Sequence, residues 1–233
     1  MAIRLCFPTT LVEKSYLDKE IDFKKGMTAE YFDMCKKEMD AMRLRDPQGR
    51  RRSNAGYGWQ SNDGIDDNPI FNKMMREIRR VVAFELMPFL GVVPGAAKCV
   101  LHNSWGNINY KFGWNAPHLH NGCFYSGVFY IKADGDEGDI RFMDTHFKVV
   151  GETPNVPRIR ESVSLSPRTG DLYLFPSGLM HMVEPNTTEK DRYSISFNLE
   201  VSPFNPQIKP QKQLEEENAD FIYEIDAEGR IIS

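Results

Sequence analysis

The sequence is short of cysteine. Four occur in 233 residues, Cys6, Cys35, Cys99 and Cys123, and no two form a close pair. That excludes zinc ribbons and thioredoxin-type motifs and reads as free thiols in a reducing cytosol. A basic surplus is also missing. The formal net charge is −4, which argues against general nucleic-acid binding. No apolar run approaches the ~20 residues of a membrane helix. The opening, MAIRLCFPTT, has no basic region followed by an apolar one, so it does not read as a signal peptide. Internal repeats are absent. These absences predict a cytoplasmic protein with no membrane partner. With 41% hydrophobic residues, a sizeable single core is available.

Helical periodicity is confined to the first third. Thr28 can cap a helix running to Leu44, with Tyr31, Phe32, Cys35, Met39 and Met42 as its apolar stripe. Asn68-Pro69 reads as a second start, with a helix to about Met87 and with Glu77 and Glu85 outward. The polar stretch 46–68 between them reads as a long loop, its arginine run solvated. From Ala97 onward the segments become short, β-branched and aromatic, separated by Gly, Pro, Asn or Asp. Eight strands are expected, with 133–138 (ADGDEG) closing a hairpin between two of them. The architecture this predicts is mainly β: a jelly roll with the N-terminal helices packed on its outer face. The chain divides into a helical part (1–95), a jelly-roll core (96–203) and a C-terminal extension (204–233).

Two groups of residues carry chemistry. His118 and His120 are two positions apart, so on a strand their imidazoles share one face. His181, from a facing strand, would complete one triangular face of a metal's coordination sphere, with positions left open. Arg192 and Ser194 share a face of the last strand. A guanidinium and a hydroxyl deep in a sheet are costly without an anion, and a carboxylate suits both. Neither His102 nor His146 has a partner at ligand spacing, and both read as ordinary histidines.

These residues, with Ser126-Gly127-Val128-Phe129-Tyr130 and Leu174-Phe175-Pro176-Ser177, resemble the iron(II)/2-oxoglutarate-dependent oxygenases. More narrowly, the pattern is similar to an H-x-H…H…R-x-S subgroup seen in bacteria and tailed phages. The resemblance implies a double-stranded β-helix, with Fe(II) on His118, His120 and His181. It also implies 2-oxoglutarate on Arg192, Ser194, Tyr130 and Tyr110, and oxidation of an unknown small molecule or protein side chain. The chain departs from the family at position 120, where a carboxylate is usual. Asp144 is the nearest candidate replacement, as a ligand or as a partner to one. Two other readings stay open: a three-histidine dioxygenase that does not use 2-oxoglutarate, and a non-catalytic jelly-roll binding or structural protein.

Overall fold

The computed structural model describes residues 2–6, 9–16, 27–50, 55–92, 97–143 and 162–203. In chain order the first elements are β1 (Ala2–Cys6), β2 (Thr9–Ser15), α1 (Ala29–Arg45), β3 (Ala55–Gln60) and α2 (Asn72–Val81). Then follow β4 (Ala97–His118), β5 (Tyr125–Lys132), β6 (Ile140–Met143) and β7 (Ser162–Leu165). The last strands are β8 (Asp171–Pro176), β9 (Met180–Val183) and β10 (Arg192–Pro203). They hydrogen-bond in the order β1-β2-β8-β5-β10-β4-β9-β6-β7, with β3 added on β4. This antiparallel sheet curls into a half-barrel of the double-stranded β-helix type, with α1 against β5, as the sequence predicts.

Alternation along the strands builds two layers. On β10, Tyr193, Ile195, Phe197 and Leu199 face the core shared with the helices. On β5, Phe129 and Ile131 do the same, and Phe129 meets Phe32 of α1 at 6.1 Å between ring centroids. The alternate residues Val128 and Tyr130 turn to the inside of the half-barrel. Gly127 is required where the layers close, because a Cβ there would lie 2.4 Å from Phe197 and 2.8 Å from Leu174.

Thr28 caps α1 as expected, accepting from the Tyr31 N–H at 3.3 Å. The second helix differs from its prediction. Asn68 accepts from the Ile70 N–H, but a 3₁₀ turn (Pro69–Phe71) comes first, and a π turn (Val82–Leu86) follows α2. Glu77, expected outward, is 7% exposed. The Tyr16 hydroxyl donates to it at 2.6 Å and the Arg80 guanidinium holds it on two sides. A carboxylate so paired can be buried.

The 133–138 turn is not a hairpin. β5 pairs with β8 and β10, whereas β6 pairs with β7 and β9. The Glu137 carboxylate accepts from the N–H groups of Asp134 and Gly135, which organises the turn locally. Gly138, at φ 93°, then passes so close to Glu184 that a Cβ would sit 2.6 Å from its carbonyl. The chain thereby crosses to the other half of the sheet.

β4 is a single 22-residue strand, where the sequence predicts two, 98–104 and 106–111. It pairs with β10 through Asn109 and with β9 from Asn115 onward. Between them the backbone turns a corner at Phe112, φ 64°, pinned by Phe112 N–H donating to Asn186 O and Asn186 N–H to Gly113 O. This corner carries the end of β4 over to β9 and so delivers His118.

Candidate metal centre

His118 ends β4 and lies in register with His181 on β9. His120 is not on the strand with His118, as the spacing had suggested, because β4 stops at His118. Its backbone N–H donates to Ser177 O at 2.9 Å, and this turn connection returns the ring to the same point. Ring centroids are 4.2 Å apart for His118–His181, 5.0 Å for His118–His120 and 5.1 Å for His120–His181. One nitrogen from each ring lies within 4.8 Å of the others.

The hydrogen bonds suit a metal. Nδ1 of His118 lies 2.7 Å from Ala116 O, and Nδ1 of His181 lies 2.8 Å from Leu179 O. A carbonyl only accepts, so each Nδ1 carries the proton and each Nε2 presents a lone pair, the arrangement that orients metal-binding imidazoles. The Nε2 atoms of His120 and His181 are 3.3 Å apart. Two nitrogens bound at about 2.0–2.1 Å to one tetrahedral ion would be separated by about 3.3 Å. Burial, with the neighbouring His118, pushes His120 down to about 4 and His181 down to about 3. Burial also lowers His118. All three stay neutral near pH 7, as ligation requires.

Among the described residues no Asp or Glu joins this cluster. The iron(II)/2-oxoglutarate assignment, in function and in cofactors, is therefore corrected. That chemistry uses two histidines and a carboxylate on the ion, and the position a carboxylate would occupy is filled by neutral His120. Asp144 and His146 lie outside the described residues. His102 pairs with Glu200 at 2.9 Å on the surface.

The histidines open into a cavity of about 280 Å³. Arg192, Ser194 and Tyr130 line it. Tyr110 does not: it points to the helical side, where Arg43 donates to its hydroxyl at 3.4 Å. Arg192 is 1% exposed. One guanidinium nitrogen, Nη1, donates to Glu137 O at 2.6 Å and Gly138 O at 2.8 Å, while Nη2 is buried with no hydrogen-bond partner. Neither Asp191 nor Glu200 supplies it with an ion pair among the described residues. The remaining wall was not anticipated. Gln60, Asn107, Asn109, Asn115 and Asn198 face the cavity, with Trp105 and Arg50 beside them. A signal existed in the polar–apolar alternation Asn107-Ile108-Asn109 and Ser194-Ile195-Ser196-Phe197-Asn198.

A family described as "Putative 2OG-Fe(II) oxygenase" matches residues 103–198. No curated protein matches. Solved structures agree on the fold at low identity. A prolyl-4-hydroxylase from Pseudomonas putida is 12% identical, with a TM-score of 0.57 over 82% of this chain and 91% of that one. A prolyl hydroxylase from Trichoplax adhaerens, in complex with a hypoxia inducible factor peptide, is 11% identical, with a TM-score of 0.55 over 81% and 82%. HygX from Streptomyces hygroscopicus, with nickel and 2-oxoglutarate bound, is 13% identical, with a TM-score of 0.53 over 82% of each chain. The chain thus carries the double-stranded β-helix of the 2-oxoglutarate/iron(II) oxygenases, with a histidine cluster able to bind metal where that family has two histidines and a carboxylate.

Proposed function

We propose that this protein is a three-histidine metal dioxygenase that does not use 2-oxoglutarate and acts on a small organic acid. The observation that carries the reading is the convergence of three neutral imidazoles, two of them with Nδ1–H pinned to a carbonyl so that Nε2 faces a common point. A redox-active divalent first-row ion on these nitrogens would supply the activation of dioxygen. Placing both oxygen atoms in one substrate draws all four electrons from that substrate, so no keto acid is needed as a second reductant.

The chain's own residues bind and orient. Arg192 receives the substrate's carboxylate on the buried Nη2 that has no partner. Ser194, two residues along the same face, adds a hydroxyl. Burial outweighs the pull of the Arg192 charge and raises the Tyr130 phenol, which keeps it a donor toward the same anion. His118 and His181 stay fixed by their carbonyl bonds as substrate enters. Fold likeness to oxygenases supports oxygen chemistry by analogy alone.

The test is to load the protein with Mn(II), Co(II), Ni(II) or Cu(II) and count bound ions. One ion per chain is expected, with no succinate formed when 2-oxoglutarate and oxygen are added. Incubating the loaded protein with a pool of small organic acids under ¹⁸O₂ should yield a product carrying two labelled atoms. Succinate production, or a product with a single labelled atom, overturns the reading.

A further inference from the structure

The inner surface of β4 and β10 has a composition that neither a metal nor a single carboxylate explains. In register across these strands, Arg192 stands opposite Asn109, Ser194 opposite Asn107, and Asn198 opposite Asn103. The other face of the same strands is apolar: Ile108 stands opposite Tyr193, and Ile195 follows along β10 opposite Gly106, with the three large side chains in the core. A jelly roll normally fills the space between its layers with side chains of that apolar kind. Here one layer presents carboxamides and hydroxyls to a cavity instead, at the desolvation cost such groups carry.

The wall is ordered by its own bonds. Gln60 donates to Asn107 Oδ1 at 2.7 Å, and Asn107 donates to Ser196 at 3.0 Å. Asn109 donates to Asn115 at 3.3 Å, and Asn198 donates to Asn103 at 2.8 Å. A carboxamide has two donor hydrogens and two acceptor lone pairs. Both Asn107 hydrogens are engaged, since it also donates to Ser194 at 3.5 Å, and Asn198 Oδ1 accepts from Ser126 at 2.7 Å. Asn107 therefore keeps an acceptor lone pair, while Gln60, Asn109 and Asn115 keep both donor and acceptor positions for a hydroxyl, which can take either part.

We propose that the substrate is a polyhydroxylated acid of the sugar-acid class, its carboxylate on Arg192 and its hydroxyls on this carboxamide wall. The inference rests on the reading of Arg192 as an anion anchor. Among the described residues no acid lines the cavity, which disfavours an amine. Groups on a sheet face are spread in two dimensions, about 4.8 Å across strands and about 6.8 Å along them. That field matches hydroxyls distributed around a non-planar carbon chain or ring. A nucleobase places its polar atoms along one planar edge.

Saturation-transfer NMR on metal-free and Zn(II)-loaded protein tests this with gluconate, glucuronate and galacturonate against hexanoate. At least one sugar acid should bind at least tenfold tighter than hexanoate, which has the carboxylate but no hydroxyls. Asn107→Leu should erase that preference while hexanoate still binds, and Ser196→Ala, a smaller change, should reduce it. Equal or tighter binding of hexanoate, no sugar acid binding in either form, or adenosine monophosphate outcompeting all three would overturn the proposal. Sugar-acid preference without metal binding would sink the dioxygenase reading alone. One bound metal with no such preference would sink this inference alone.

Discussion

His118 and His181 stand opposite one another on β4 and β9, and each binds through Nδ1 the carbonyl two residues before it, Ala116 and Leu179. The same local device is used twice on two strands. It sets the tautomer of both rings without any acidic partner, so the pair can present two Nε2 lone pairs while remaining neutral. His120 has no such bond to a carbonyl in its own segment among the described residues, and its ring is steered by neighbours, including Trp105 at 5.9 Å between centroids.

His181→Ala should lower affinity for Co(II) or Zn(II) at least 100-fold, about 2.8 kcal/mol at 1.4 kcal/mol per tenfold, because two imidazoles remain. His102→Ala, which removes only a surface pair with Glu200, should leave affinity unchanged. Competition with a chromophoric chelator measures both. Equal affinity in the two variants would remove the proposed centre.

The buried ion network under α2 sets an acid limit on stability. Burial pushes the Glu77 carboxyl up, but hydrogen bonds from Arg80 and Tyr16 and the charges of Arg80 and Lys14 outweigh it and hold it below the ordinary value. A group depressed in the folded state contributes stability above its unfolded value, near pH 4.5, and that contribution is lost as pH falls through the folded value. Glu77→Gln should destabilise the protein at pH 7 by roughly 3–5 kcal/mol, the scale for breaking a buried pair, and should flatten the loss below pH 4.5. Urea unfolding at several pH values reads both effects. An unaltered acid slope in the variant would place that dependence elsewhere.

Gly127→Ala should cost about 1–3 kcal/mol, the range for overpacking, since the new methyl meets Phe197 and Leu174 well inside contact distance. The metal stoichiometry of the folded fraction should not change. A neutral effect in chemical denaturation would mean that β5 and the Phe197 ring separate more easily than their packing suggests.

Strands and helices were legible where periodicity governs them. Thr28 and the stripe Tyr31, Phe32, Cys35, Met39 define α1, and alternation from Tyr193 to Leu199 defines the buried face of β10. Pairing was less legible. A Gly- and Asp-rich turn at 133–138 states that the chain reverses but not which strand it then joins, and that choice depends on contacts such as Gly138 against Glu184. That the three histidines converge was legible, yet the strand argument for His120 fails, since β4 stops at His118 and the bond to Ser177 O, not a shared strand face, positions it. The wall was missed because Asn107 and Asn109, although expected on a strand, carry no local sign of which strand lies beside them or that their face meets a cavity. Their place inside a β-helix depends on β10 lying alongside. The cofactor expectation followed family resemblance, while the one residue that contradicts it, His120, was visible in the chain.

Arg192 gives the last prediction. Its guanidinium is almost fully buried, and Nη1 is satisfied by two carbonyls, whereas Nη2 has no partner. Burial lowers its pKa, a sign that the charge is held at a cost in the free protein. An anion that reaches Nη2 relieves that cost only in the folded state, so it should stabilise the protein by mass action, about 2.7 kcal/mol at a concentration 100 times its Kd. Formate and acetate, small enough for the cavity, should therefore raise Tm in a saturable way at constant ionic strength. Arg192→Met should abolish the rise, because a thioether attracts no anion. Arg192→Lys should retain only part of it, since one ammonium must serve both the Glu137 and Gly138 carbonyls and the anion, which Arg192 divides between Nη1 and Nη2. A Tm that responds equally to these carboxylates and to matched chloride, in wild type and in Arg192→Met alike, would show that Nη2 is not an anion site and would remove the anchor on which the substrate reading depends.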